Sequence, residues 1–235
     1  MTVLQVPGVA NVRDVGGISV GGSHIRDGML FRSGQLAGLT PEGEAILAPR
    51  VRRVIDLRDD AEVAAEPTAF TKATTTTRVP LFLGSVASFF TEDMNLTSMY
   101  RHLVEDAAPR LVDAVRLIAE GEPTLINCTI GKDRTGVTVA LALSAVGADR
   151  DEVVEDYALT ASQLPQARTQ AVVAYLRTHH PEARHAIELA TASPAPVMRD
   201  LLAGIDREHG SVPDYLLANG MTASELDRLG VALVR

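Results

Sequence analysis

The hydrophobic pattern of the chain changes near its middle. In the first half, short apolar runs separated by glycine-rich turns dominate: "GISVGGSH", "MLFRSG", "VRRVIDLR" and "TTRVPLFL" all have strand length and read as strands. From Asn95 to Glu120 apolar residues recur at helical spacing, and Pro109 is expected to kink that segment or divide it into two helices. "PTLINC" is again an unbroken apolar run bounded by Gly121 and Gly131, the pattern of a strand buried on both faces at the centre of a sheet. "TGVTVALALSAVG" reads as a helix closed by Gly147.

Beyond Asp149 the pattern is helical almost throughout. "DRDEVVEDYALTAS" opens with acidic residues that suit a positive helix N-terminus. Further amphipathic segments follow, "PQARTQAVVAYLRTHH", "PAPVMRDLLAGIDREHG", "VPDYLLANG" and "TASELDRLGVALV", several beginning after Pro or on a Thr/Ser-x-x-Glu capping pattern. Thr71 to Thr77 is the one low-complexity stretch and reads as a loop running into an edge strand. No repeat is visible. The expected architecture is α/β, a single domain over residues 1–235 with a central sheet flanked by helices and helical cap elements within 149–210.

Composition narrows the function classes. A hydrophobic fraction of 46% supports a packed core, and with Trp absent that core must be built from Ala, Val and Leu. The net charge of -8 argues against a nucleic-acid partner, although a local basic pocket can still hold an anion. A single cysteine allows no internal disulfide, which fits a reducing compartment or one functional thiol. "MTVLQVPGVANVRD" lacks the pattern of a secretory signal, and no apolar stretch reaches the roughly 20 residues of a membrane span. The expectation is a cytoplasmic protein, with export by another route left open. His179 and His180 are adjacent and His185 has no partner at ligand spacing, so neither metal nor cofactor is expected.

The single cysteine sits in "INCTIGKDRTGVTVALAL". A buried strand ends at Cys128, and a tight turn with Gly131 leads into a helix starting near Arg134. Amides converge in such a turn, the helix N-terminus adds positive partial charge, and Lys132 and Arg134 add two full charges. Together they favour an anion in the turn and a thiolate at its edge. Two rival motifs fail. A Walker A loop would need Gly at position 126 and Ser or Thr at 133, where Ile126 and Asp133 stand, and the glycine pattern of a dinucleotide fingerprint is missing. Cys128 is therefore read as a nucleophile rather than a core thiol.

"CTIGKDRTG" resembles the signature of the cysteine-dependent protein tyrosine phosphatase superfamily. "NVRDVGG", "MLFRSGQL", "RRVIDLRDDAEV" and "GSVPDYLLANGMTASELDRLG" resemble, in order and over nearly the whole chain, its bacterial tyrosine/lipid phosphatase branch. The resemblance implies a phosphatase-like central sheet and a metal-independent phosphomonoester hydrolase in which Cys128 forms a phosphocysteine that water hydrolyses. It further implies that Arg134 grips phosphoryl oxygens bidentately, that the amides of Thr129, Ile130, Gly131, Lys132, Asp133 and Arg134 cradle the others, and that Thr135 hydrogen-bonds the sulfur. Asp133 is the implied general acid, and Lys132 resembles the loop lysine of members acting on highly charged substrates such as phosphoinositides.

A departing alkoxide or phenolate needs a proton, and besides Asp133 the residues Asp56, Asp59, Asp60 and Asp93 qualify as donors by residue type. Asp56 and Arg58 are expected to make structural hydrogen bonds beside the site, and Arg13 and Asp14 to brace the loop. Tyr100, Arg101 and His102 either line the mouth or belong to an ordinary packed helix. One position departs from the family: Asn127 stands where His usually precedes the nucleophile, and Asn can hydrogen-bond but cannot carry charge. The expected partner is a phosphorylated protein, lipid headgroup or small molecule. Two alternatives are a phosphatase of a small phosphorylated metabolite and, because of Asn127, a weakly active or inactive phospho-ligand binding module.

Overall fold

The computed structural model describes residues 1–70, 75–81 and 94–235. Asp93 and the first part of the low-complexity stretch, residues 71–74, lie outside the described residues, whereas its second part forms a strand. Eight strands are described: β1 (Thr2–Val3), β2 (Arg13–Asp14), β3 (Ser19–Val20), β4 (Ser23–His24), β5 (Leu30–Ser33), β6 (Arg53–Asp56), β7 (Thr75–Arg78) and β8 (Thr124–Asn127). Six form one sheet in the order β1-β2-β5-β8-β6-β7. Strands β5, β8, β6 and β7 run parallel, while β2 and β1 extend the β5 edge antiparallel. Strands β3 and β4 form a separate hairpin. The "PTLINC" strand is central as its pattern predicts, and β7 is the edge.

Neighbouring residues along these strands face opposite cores, as the two-residue period demands. Phe31, Val54 and Leu125 join a small cluster with Leu36, Leu39, Leu47 and Val51, whereas Leu30, Ile55 and Ile126 join the large one. The smaller cluster is covered by α1 (Pro41–Leu47); α2 (Asp60–Ala65) is a short surface helix after β6. The larger lies under α3 (Leu96–Asp106), α4 (Ala108–Ile118) and α5 (Asp133–Ala145), then α6 (Arg150–Gln163). Pro109 divides the long helical segment in two. It occupies the second position of α4, where the missing N–H has no intrahelical partner to lose. Gly147 follows α5 with φ 77, the left-handed conformation expected of a residue just beyond a helix end.

Helices α7 (Gln166–His179) and α8 (Ala186–Thr191) stand apart from this core. Leu176, Ala183 and Ala186 form their own small cluster, joined by Val172, Ile187 and Ala190. Helices α9 (Ala195–His209), α10 (Val212–Ala218) and α11 (Ala223–Leu233) return to the main core. The carboxyl ends of β5, β8 and β6 open on the same side, where Ser33 pairs with Asn127 and Asn127 with Asp56. That crevice beyond parallel strand ends is where ligands bind in open α/β sheets.

Candidate active site

Cys128 leaves the end of β8, residues 129–132 turn, and α5 starts at Asp133. The carbonyls of the turn are drawn outward. Thr129 O accepts from the Gln35 amide, Ile130 O from Asn11 Nδ2, and Gly131 O from both Asn11 Nδ2 (3.0 Å) and Arg32 Nη2 (2.8 Å). Among the described residues, the amides of 129–134 donate to no protein acceptor. With its oxygens held on the outside, the turn presents unfilled N–H groups at the N-terminus of α5, an anion-binding nest. Gly131 sits at φ 69, and a Cβ there would lie 2.3 Å from Ser33 O, so only glycine lets the turn pack against β5.

The brace behind the turn is a buried ionic network. Asp156 of α6 receives Arg13 Nε at 2.7 Å and Arg32 Nη1 at 2.5 Å, with all three side chains essentially inaccessible. Thr160 accepts from Arg13 Nη2 at 3.0 Å. Burial lowers the Arg13 pKa to about 10, helped by the neighbouring charge of Arg32 and opposed by Asp156. Burial would raise Asp156, but the two arginines outweigh it and hold the carboxylate ionised. The expected brace, Arg13, thus acts at one remove: it grips Asn11 Oδ1, and Asn11, at φ 60, holds the loop. Asp14 instead accepts from the amides of Gly16 and Gly28, away from the loop.

Arg134 is engaged by a residue the sequence reading did not single out. Its Nη1 and Nη2 donate to Glu62 at 2.6 and 2.7 Å, and the Thr129 hydroxyl donates to the same carboxylate. Glu62 is fixed by its place in α2. It closes a capping box with Asp59, accepting from the Asp59 amide at 2.9 Å. Burial works to raise the Glu62 pKa, but the bonds from Arg134 and Thr129 and the arginine's charge bring it down to about 2. For Arg134, burial opposes the charge, and Glu62, Cys128 and Asp133 more than offset it, so its pKa rises. A depressed carboxylate contributes fully above its unfolded value and loses that contribution as pH falls through its folded value. Glu62→Gln is therefore expected to cost roughly tenfold in kcat/KM, by a ratio to the parent that stays flat from about pH 5 to 8. Paired pH–rate profiles check this, and a ratio that varies across that window contradicts it.

Asp133, the first residue of α5, has one oxygen held. Tyr100 Oη donates to Asp133 Oδ1 at 2.7 Å, and Tyr100 shares a second 2.7 Å bond with the Tyr157 hydroxyl. Burial, then the nearby Asp133, raises the pKa of both phenols, which therefore stay protonated. The Lys132 side chain is fully buried and its ammonium is taken up by protein groups. It donates to Leu189 O (2.6 Å) and Ala192 O (2.8 Å) at the end of α8 and pairs with Asp133 at 3.3 Å. The charge expected to read the substrate thus ties the loop to the helices above it.

The other candidates divide clearly. Asp56 and Arg58 form a buried bidentate pair, and Asn127 Nδ2 donates to Asp56 at 3.3 Å. Asp59 caps α2 and Asp60 is exposed beside Arg78. Asp56 and Asp59 are occupied by these bonds, and none of the three lines the space over Cys128. The Thr135 hydroxyl is buried with no partner, so the bond to sulfur implied by the resemblance is not made in this structure. Tyr100 is both a core residue and a site residue. Arg101 and His102 are exposed, and Arg101 faces α9, so neither lines the mouth.

Above Cys128 lies a cavity of about 420 Å³ whose walls are Met99, Val172, Tyr175, Leu176 and Leu189. Its floor carries Cys128, Thr129, Asp133 and Arg134. A phosphoryl group in the nest would place its ester oxygen toward this apolar chamber. The family model described as tyrosine phosphatase family matches residues 4–235. The chain belongs to the tyrosine phosphatase family. It is 30% identical to the triple specificity protein phosphatase PtpB of Mycobacterium tuberculosis (strain ATCC 25618 / H37Rv), with 99% of this chain and 100% of that protein covered. The tyrosine-protein phosphatase of Nostoc commune is 25% identical over 86% of this chain and 73% of its own length. Among solved structures, P. aeruginosa TpbA is 19% identical, covers 72% of this chain and 89% of its own, and superposes with a TM-score of 0.35. The single cysteine of this tyrosine phosphatase, Cys128, is buried at the start of the loop. Among the described residues no cluster of His, Cys, Asp and Glu could hold a metal ion, and no helix is long and apolar enough to cross a membrane.

Proposed function

We propose that this chain hydrolyses phosphotyrosine by two-step cysteine chemistry. Cys128 Sγ attacks phosphorus in line, the S–P bond forms as the P–O bond to tyrosine breaks, and Asp133 gives its proton to the leaving phenolate. Water, deprotonated by the resulting carboxylate, then attacks the phosphocysteine and releases phosphate. Arg134 and the inward amides of Thr129 to Arg134 stabilise the equatorial oxygens throughout. The observation that carries the choice of substrate is the apolar wall of Met99, Val172, Leu176 and Leu189 over the nucleophile, which suits an aromatic ring better than a polyol. Initial rates in EDTA on phosphotyrosyl and phosphoseryl peptides and on a hexose phosphate test this. Preference for phosphotyrosine is expected, and a faster hexose phosphate would favour the metabolite reading instead.

In this scheme Tyr100 is a positioning residue. By occupying Asp133 Oδ1 it leaves Oδ2 to face the leaving oxygen. Tyr100→Phe is expected to slow phenyl phosphate, which needs the proton, at least about tenfold more than p-nitrophenyl phosphate, whose leaving group does not. Equal losses on the two esters would reduce Tyr100 to a packing role.

A further inference from the structure

Arg168 stands out among the cations around the loop. Arg134 is held by Glu62, Arg58 by Asp56, Arg13 and Arg32 by Asp156, and Lys132 by Asp133 and two carbonyls. Arg168 makes no hydrogen bond or ion pair among the described residues, and its Nη1 is buried where water does not reach it. Its location adds to the cost. It sits in the first turn of α7, a helix whose N-terminus has neither a side-chain cap nor an acidic residue, so the guanidinium faces the positive end of its own helix dipole. Burial lowers its pKa, and only Asp133 opposes that. The side chain as a whole is only half-buried, but the enclosed, unpartnered Nη1 offers a hydrogen-bond donor to an anion from outside the chain.

The surroundings show where that anion would lie. Arg168, Thr129 and Ile130 line both the chamber over Cys128 and a second, open cavity of about 560 Å³. The second cavity is lined by Gly8, Gly34, Gly38, Gln35 and Glu66, and the Glu66 carboxylate accepts from Gln35 Nε2. Arg168 thus contributes to the walls of both cavities. An open, glycine-lined cavity beside the apolar chamber over Cys128 fits an extended peptide rather than a compact molecule.

Building on the proposed phosphotyrosine activity, we infer that Arg168 is a specificity-determining subsite for an acidic residue flanking the phosphotyrosine of a peptide substrate. With a net charge of -8 the protein's overall field disfavours acidic peptides, so any preference for them has to come from a local contact of this kind.

The test compares kcat/KM for two phosphotyrosyl peptides, one with Glu on both sides of the phosphotyrosine and one with Ala, in the parent, Arg168→Met and Arg168→Lys. The ratio of the two peptides is read within each protein, so a general loss of activity cancels. A ratio of roughly tenfold in the parent, near one in Arg168→Met and intermediate in Arg168→Lys is expected. A parent that hydrolyses both peptides equally overturns the subsite while leaving the phosphatase reading intact. So does an Arg168→Met protein that keeps the ratio, or one that loses both peptides alike, which would place Arg168 on the scissile phosphate. Hydrolysis of neither peptide by the parent would defeat the phosphotyrosine reading itself.

Discussion

Cys128→Ser is expected to lower phosphatase activity by a factor on the order of 10⁴ or more while leaving the fold and phosphate binding in place. Cys128 is 2% exposed, at the end of a central strand and in contact with the main core, and a serine of similar shape fits that space. The nest does not depend on the thiol, because its geometry comes from Asn11, Arg32 and the Gln35 amide pulling carbonyls outward. What the serine lacks is an ionised nucleophile, since its hydroxyl stays protonated where a thiol can ionise. Rates on p-nitrophenyl phosphate and calorimetric binding of inorganic phosphate separate the two effects. Substantial turnover by the serine protein would contradict covalent catalysis by Cys128.

Arg134→Lys is expected to be the next most costly change, at about 10² to 10³ in kcat. Lysine keeps the charge but not the planar fork, and only a fork can span two equatorial oxygens while the leaving group departs. The change also removes the paired guanidinium bonds that contribute most to lowering the Glu62 pKa, leaving the Thr129 hydroxyl and the Asp59 amide, so that carboxylate moves up toward its ordinary value. Its stabilising contribution, which in the parent is complete above the unfolded pKa and fades as pH falls through about 2, is then reduced by the guanidinium's share across the range where it was present. Combining Arg134→Lys with Glu62→Gln measures the coupling. Losses that multiply independently would show that Glu62 does not act through Arg134.

Much of this architecture was legible in the sequence because its signals are local. The apolar run before Cys128, the Gly131 turn and the helix to Ala145 follow from periodicity and turn chemistry, and Pro109 and Gly147 mark their boundaries. The supporting side chains were harder to read, because their partners are far apart in the chain. Asp156 meets Arg13 and Arg32 across more than 120 positions, and Asn11 meets Gly131 across 120. Nothing near "VEDY" marks its aspartate as the centre of a buried network. Glu62 did leave a signal, since Asp59-x-x-Glu62 is a capping box, but the same pattern marks many helix starts that touch no site. Lys132 shows the opposite failure. A basic residue in a phosphate loop suggests contact with substrate, whereas burial under α8 turned it to two backbone carbonyls.

Asn127 illustrates how a departure from the family pattern can be absorbed. Its amide reaches the buried Asp56 that already binds Arg58, so it makes one weak bond, and its own oxygen has no partner. The loop is therefore held by Asn11, Arg32 and Glu62 rather than by the residue before the nucleophile. The bonds that shape the nest and hold Arg134 do not include Asn127.

The central claim is the phosphocysteine, and the most direct measurement is rapid acid quenching of the parent enzyme during turnover of p-nitrophenyl phosphate, followed by peptide mass spectrometry. The account predicts one added phosphoryl group on the peptide containing Cys128, formed within the first turnover and absent from Cys128→Ser. Steady turnover with that peptide unmodified at every quench time, or with the phosphoryl group on another residue, would contradict it.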